Sequence, residues 1–509
     1  MHESWMATGG DCLETIRELE VRLGASEPSQ QVGLALALGA AQLAQFALSG
    51  LAEQVDALDA EVEAVEVSRR AVRPILEIGL QRRIDSEDEA CRGACLCVKC
   101  GERAVSQGRR KRSWMSMVGE LNLRRRYVLC GRCKQGWAPS QRALALPDSD
   151  FTARLEEVGT MLATTVPHGM ARALASKVCG VEVSTKALED MTQRRASICQ
   201  AEDESEALAC VPFDKKGLPR SGVACPADTV SKGPTVAYLE VDGVIPITRE
   251  ALSNSELTAD DHERLRKAKQ EKARGGKGRR YRIVGREVKN AVLYDGKDCV
   301  QESPGRGCLL DKRYVSRLGD WQSFALRTWA EMRRQRFDEA ELLVLLSDGA
   351  DWIRSFAQWL PVPVMLILDL YHAKHRIWEV ANVLYGERTP KARQWAQAQC
   401  ERVEAGNARD VVRVLRLLRP KSSRARSRVD ALATYFKNNL DRMDYPEYRR
   451  RGLRIGSGAV ESANFHVTGA RLKLQGMRWS AQGAADMALL RADLFNGRWE
   501  TRTRRLLAA

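Results

Sequence analysis

Two apolar runs in this chain end in the same dipeptide, Ala237-Tyr-Leu-Glu-Val-Asp-Gly243 and Leu342-Leu-Val-Leu-Leu-Ser-Asp-Gly349. A third segment, Gly456-Ser-Gly-Ala-Val-Glu-Ser462, puts Glu461 at the start of a candidate helix. Asp242, Asp348 and Glu461 are thus three carboxylates remote in sequence, two of them at the ends of apolar strands. Such a set suits two-metal phosphoryl transfer. Mg²⁺ is a hard cation that takes a few carboxylates plus phosphate oxygens. Two such ions clamp the attacking and leaving oxygens of an in-line displacement. An Asp-Gly pair alone is only a turn signal. Here the apolar residues before each pair mark central strands, and α/β sheets bind ligands beyond the carboxyl ends of their strands. Asp369 and His372, three apart in Leu366-Ile-Leu-Asp-Leu-Tyr-His372, are auxiliary candidates. They suit metal binding, orientation of a scissile strand or bracing of the site, and Asp369 competes with Asp348 for the second metal position.

A second chemistry lies upstream. Cys97-Val-Lys-Cys100 and Cys130-Gly-Arg-Cys133 form two Cys-x-x-Cys knuckles. Four thiolates from such knuckles give tetrahedral Zn²⁺ its ligands. A β-hairpin across the residues between them would bring the knuckles together, with Cys91 and Cys95 as nearby alternatives. The hairpin carries Arg109-Arg-Lys-Arg112 and Arg124-Arg-Arg126. A basic zinc ribbon of this kind either touches phosphates or is a structural staple with a solvated basic face. Further basic groups are Arg279 and Arg280 in a Gly-bearing loop, and Arg471, Lys473 and Arg478 shortly after Glu461. They are placed to hold a phosphodiester against the acidic site. Trp479 is a candidate base-stacking ring, or simply a core tryptophan.

The elements that must position these groups follow from periodicity and punctuation. Residues 1–90 read as a helical region and 91–145 as the ribbon. In 146–200, helix Ala171–Val178, a break at Cys179–Val183 and an N-cap at Ser184 before Thr185–Ala196 make a helix-turn-helix-like unit. Residues 201–233, rich in Asp, Glu, Pro, Gly and Ser, read as a linker. Strands are expected at Thr235–Ile247, Val288–Tyr294, Glu341–Ser347 and Val364–Leu370, with helices at Ser323–Arg336 and Trp352–Leu360. This alternation is that of an α/β layer fold, spread over 234–372 and 450–500. Residues 373–449 read as an all-helical insertion.

At 509 residues the chain exceeds one ordinary core. Its net charge of +15 favours a polyanionic partner, nucleic acid above all. The N-terminus lacks the pattern of a secretory signal, and the apolar stretch Gly33–Leu51 reads as a packed helix rather than a membrane span. A cytoplasmic, nucleoid-associated location is the expectation. Fourteen cysteines then point to metal or buried thiols rather than disulfides.

From about Cys97 to Trp499 the chain resembles bacterial insertion-sequence transposases of the DDE type, most closely the ISKra4 family, which is related to the Mutator-like and IS256 group. The resemblance rests on Glu240-Val-Asp-Gly243, Gly285-Arg-Glu-Val-Lys289, Ser347-Asp-Gly349, Asp369-Leu-Tyr-His372 and Gly456-Ser-Gly-Ala-Val-Glu-Ser462. It implies an RNase H-like core in which the first carboxylate lies on the first strand, the second follows the fourth strand and the third is on a late helix. Asp242, Asp348 and Glu461 take those roles, with two Mg²⁺ (or Mn²⁺) ions and a structural Zn²⁺. Asp369 and His372 match the C/D-x-x-H element of related families, which favours Asp348 over Asp369 as the metal ligand. The implied partners are terminal inverted repeats, target DNA and further copies of the chain, as a dimer or larger assembly. The rival readings are a nuclease or resolvase on the same core, a non-enzymatic zinc-ribbon DNA-binding protein, and an inactive relic.

Overall fold

The computed structural model describes residues 9–50, 56–91, 95–211, 213, 232–251, 258–273, 281–303 and 306–508. The chain forms two compact units, Met1–Thr192 with Thr501–Ala509, and Gln193–Glu500. Most of the expected linker, and Arg279 and Arg280, lie outside the described residues.

The first unit begins with helices Gly9–Ala25, Pro28–Gln45 and Ala57–Ala90. Among the described residues one helix, Gln30–Leu48, is long and apolar enough to cross a membrane by length and composition, and little of it is buried. A long antiparallel hairpin follows, β1 (Ala104–Ser116) and β2 (Gly119–Cys130), with the short β3 (Gly136–Trp137) on the far side of β2. The free edge of β2 is closed by the third helix. Backbone N–H groups of Asn122, Arg124 and Arg126 donate to Glu77, Gln81 and Asp88 side chains. Donors on every second strand residue meet acceptors spaced four and seven apart, which share one helix face. The helix thereby removes a sheet edge that would otherwise invite pairing. Ile84, Trp114 and Leu123 form the fully buried core between the two elements.

Three helices complete this unit's core: Ala153–Thr165, His168–Cys179 and the start of Thr185–Ala209. The middle one ends in left-handed Gly180 (φ 59°), and the Ser184 hydroxyl caps the next at the Ala187 N–H. That helix runs past Ala196 into the expected linker. The acidic residues of 201–209 are a paired helix face rather than solvated spacer. Asp203 and Glu206 form ion pairs with Arg327 and Arg334 of helix Trp321–Arg334. Composition alone cannot separate the two cases, because the partners lie more than a hundred residues away.

The second unit is built on a mixed sheet. Its strands are β4 (Val236–Val244), β5 (Ile247–Ala251), β6 (Tyr281–Gly285), β7 (Val288–Asp295), β8 (Cys299–Ser303), β9 (Arg306–Leu309), β10 (Arg313–Leu318), β11 (Leu342–Ser347), β12 (Val364–Leu368) and β13 (Trp479–Ser480). Five of them form the central sheet in the order β10-β7-β4-β11-β12. β4–β7 and β7–β10 are antiparallel, while β4–β11 and β11–β12 are parallel. Sequence reading missed β10, whose apolar content is low because it is an edge strand. With it, β11 becomes the fourth strand of this sheet in chain order.

Alternation along each strand divides the core. Ala237, Leu239 and Val241 face helices Trp321–Arg334 and Asp351–Trp359. Tyr238 faces the other way, with Tyr294, Val344 and Leu346, into a core shared with helices from 370 to 448. The expected insertion is therefore all-helical yet continuous with one face of the sheet. Its helices are Leu370–Tyr385, Pro390–Glu404, Ala408–Leu417, Ser423–Asn439 and Tyr445–Arg450.

Candidate functional site

Strand period places Glu240 and Asp242 on the same face of β4. Glu240 is fully buried and Asp242, two residues nearer the strand end, is half-buried. The neighbouring parallel strand β11 stops at Ser347, so Asp348 enters the turn just beyond it. Gly349 continues that turn at φ 88°, and a Cβ there would meet the Leu368 side chain at 2.7 Å. Glycine is required on both counts. The Ala350 N–H donates to Asp348 Oδ1, and the Tyr435 hydroxyl donates to the Asp348 carbonyl at 2.7 Å.

Asp369 follows β12 and is 1% exposed. Its Oδ1 accepts the His372 N–H, capping helix Leu370–Tyr385. Its Oδ2 accepts both the backbone N–H and the hydroxyl of Ser457. One oxygen thus caps this helix, and the other holds the loop that leads to Glu461. Glu461 itself lies exposed on helix Gly458–Ala463, with Oε1 3.6 Å from His372 Nδ1.

The Glu461 helix is tied to β4 at two points. Glu240 Oε2 accepts the Val460 N–H, and the Asn464 amide donates to Asp242 Oδ2 at 2.5 Å. After Ala463 the helix widens into a π-turn, Asn464–Gly469. At Gly469 a Cβ would lie 2.8 Å from the Asn464 carbonyl, so glycine lets the widened turn close. Glu240 also accepts the Tyr294 hydroxyl, and burial pushes its carboxyl up to about 7.

Electrostatics link the two aspartates. Burial pushes the Asp242 carboxyl up to about 6, and the Asp348 charge adds to the rise. The Gly243 N–H, His372 and the Asn464 amide pull the other way. Among the described residues, Asp369, His372 and Glu461 offer ligand atoms within 4.8 Å of one another. Asp242 and Asp348 are not members of that trio.

The four expected cysteines do converge. Cys97, Cys100, Cys130 and Cys133 present sulfurs within 4.8 Å of one another. The Cys97–Cys133 and Cys100–Cys130 separations are 3.3 and 3.5 Å. A disulfide would be about 2.05 Å, whereas thiolates around zinc at ~2.3 Å sit about 3.8 Å apart. The two knuckles repeat each other. Gly101 N–H donates to the Cys97 carbonyl and Lys134 N–H to that of Cys130, both from left-handed residues (φ 71° and 58°). The Cys133 N–H heads the donors that pull the Cys130 thiol down to about 6. This cluster can hold a structural metal such as zinc. Cys91 and Cys95 stand apart from it, with the Cys95 thiol donating to the Cys91 carbonyl.

The basic residues divide. Arg124 is exposed, Arg126 half-buried, and Lys473 and Arg478 exposed. Arg125 is buried, its guanidinium 5.8 Å from the centre of the Trp114 ring. Arg471 is fully buried and lies 4.7 Å from the centre of the Trp479 ring. Arg125 is turned inward by strand alternation. Arg471 is turned inward by the short helix Ala470–Leu472 that carries it. Neither side chain is presented to a DNA backbone, and Trp479 packs on Arg471 rather than standing free.

Sequence reasoning gave no role to Glu240, Asn290, Ser457 or Asn464. Glu240 was legible, since a carboxylate two residues before Asp242 on a central strand must point into the core. Asn290 was not, because its pairing opposite Asp242 depends on the β4–β7 register.

A family model described as an uncharacterised protein family, UPF0236, matches residues 286–506. That span includes Asp348, Asp369, His372 and Glu461, but neither Asp242 nor the four cysteines. No curated protein matches the chain.

Proposed function

We propose that this protein is a DNA strand transferase of the DDE transposase type, acting at the ends of an insertion sequence. The observation that carries the reading is the double tie between the Glu461 helix and β4. It ties the segment that carries Glu461 to the strand that carries Asp242, 219 positions away in sequence, and Asp348 follows the neighbouring parallel strand β11. The order and directions of the five central strands support an RNase H-like core. So do the positions of the carboxylates on the first strand, after the fourth and on a late helix.

The donor set fits hard divalent ions. Asp242, Asp348 and Glu461 would hold Mg²⁺, with His372 beside Glu461. Two ions about 3.5–4 Å apart accept ligands over a wider span than one ion does, so the carboxylates need not form a single tight cluster. Bound there, the metal would activate the nucleophile and offset charge on the reacting phosphate. The chain's own residues supply position. Asp369 is buried and accepts three hydrogen bonds, so it braces the Ser457 loop and caps the helix that carries His372, while Asp348 would serve as ligand. Lys473 and Arg478 would hold the phosphodiester near Glu461. In the first step water attacks phosphorus and the P–O3′ bond breaks, leaving a 3′-hydroxyl. In the second that hydroxyl attacks a target phosphate and displaces the target's own 3′-oxygen. Bonds are exchanged one for one, and catalysis is chiefly positioning and charge neutralisation. The zinc ribbon, through Arg124 and Arg126, and the helix-turn-helix-like unit would grip the DNA ends.

The test uses full-length protein, a labelled DNA end taken from the inverted repeats flanking the gene, target plasmid and Mg²⁺. Joined product that disappears in Asp242→Asn supports the proposal. Cleavage without joining would favour a nuclease, and DNA binding with neither activity would leave a zinc-ribbon binding protein.

A further inference from the structure

We infer that Asn464, held from behind by Asn290, is a positioning residue that orients Asp242 for metal binding and sets its spacing from Glu461. The inference rests on the metal-site reading above. Asn290 is 1% exposed and pairs directly with Asp242 across the sheet. Its Oδ1 accepts the Ser316 hydroxyl at 2.6 Å and the Thr468 hydroxyl at 3.0 Å. Its amide donates to Asn464 Oδ1 at 2.7 Å, and the Asn464 amide donates to Asp242 Oδ2.

The direction of this chain is dictated from the acidic end. An ionised carboxylate only accepts, so Asn464 must turn its NH₂ toward Asp242. Its oxygen then faces Asn290, which must turn its own NH₂ outward and leave its oxygen to the two hydroxyls. Every member has one orientation that satisfies all the others, so Asp242 is locked as an acceptor pointing one way. The π-turn is the device that makes this possible. It lets Asn464 and Thr468, on the same turn, both reach the sheet while Glu461, three residues earlier, remains exposed. Groups behind metal ligands of this kind typically alter affinity ~10–100-fold when removed.

The experiment is Mn²⁺ binding to the full-length protein by isothermal titration calorimetry, without DNA, alongside Mg²⁺-dependent cleavage. Asp242→Asn defines the site: binding lost in that variant is binding at this centre. Asn464→Ala should weaken it ~10–100-fold, with zinc content unchanged and cleavage restored by excess metal. Ser316→Ala acts from the far end of the chain, well behind the carboxylate, and should weaken binding about fivefold, the worth of one ordinary hydrogen bond. It decides the matter if Asn464→Ala fails to fold. Wild-type affinity in either folded variant overturns the inference while leaving the metal site intact. Equal Mn²⁺ binding by wild type and Asp242→Asn would instead defeat the metal-site reading on which it stands.

Discussion

Glu240→Gln should stabilise the protein above neutral pH and leave it unchanged in acid. Glu240 is fully buried, and burial lifts its carboxyl from an ordinary 4.5 to about 7. A raised acid binds its proton more tightly in the folded state than in the unfolded one. Stability therefore falls as pH rises from about 4.5 to about 7 and stays flat above that. At ~1.36 kcal/mol per pKa unit, the penalty reaches about 3 kcal/mol at pH 8 and is well under 1 kcal/mol at pH 4.5. Glutamine meets the same partners without charge: its oxygen accepts the Val460 N–H, and its NH₂ donates to the Tyr294 hydroxyl. The gain at pH 8 should be about 3 kcal/mol, or roughly 5–10 °C for a unit of this size. Differential scanning calorimetry at pH 4.5 and pH 8, without added Mg²⁺ or Mn²⁺, reads both numbers. Equal midpoints at pH 8, or a gain of the same size at both values, would refute the claim that Glu240 is a desolvated acid. Glu240→Ala should go the other way, since it strands the Val460 N–H and the Tyr294 hydroxyl.

Asp348→Asn and Asp369→Asn should separate ligand from brace. The first should abolish cleavage with no loss of thermal stability, whereas the second should cost about 1–3 kcal/mol by facing an NH₂ toward the Ser457 N–H, read by the same calorimetry. Purified protein should carry one zinc per chain by atomic absorption. Replacing Cys130 with Ser should remove it and expose the β1–β2 hairpin to protease, because structural zinc contributes folding energy directly. Lys473→Ala should weaken DNA binding and reduce the salt slope by about 1. Arg471→Ala should lower stability through lost packing against Trp479 and leave that slope unchanged.

Much of the site was legible because its chemistry is concentrated in short motifs. An apolar run ending in Asp-Gly announces both a central strand and an acid at its end. A Cys-x-x-Cys pair announces a knuckle wherever its mate lies. Period 3.6 and the break at Cys179–Val183 gave the first helix and the start of the second, but the second runs thirteen residues past its expected end at Ala196. What stayed hidden depends on long-range partners. Asp203 and Glu206 looked like linker residues until Arg327 and Arg334 were opposite them. Arg125 and Arg471 looked like DNA contacts because charge is read from sequence but the direction of a side chain is not. β10 escaped notice because an edge strand needs less apolar surface than a central one. The Asn290–Asn464–Asp242 chain needs the β4–β7 register and the π-turn together, and neither is a local property of the sequence.

The central claim is that Asp242, Asp348 and Glu461 share divalent ions. Crystals soaked in Mn²⁺ and measured at the manganese absorption edge test it without any assumption about substrate. Anomalous peaks within bonding distance of Asp242 and Asp348, with Glu461 completing the set, are the predicted result. A peak confined to Asp369, His372 and Glu461, or no peak beside Asp242 at saturating Mn²⁺, would contradict it.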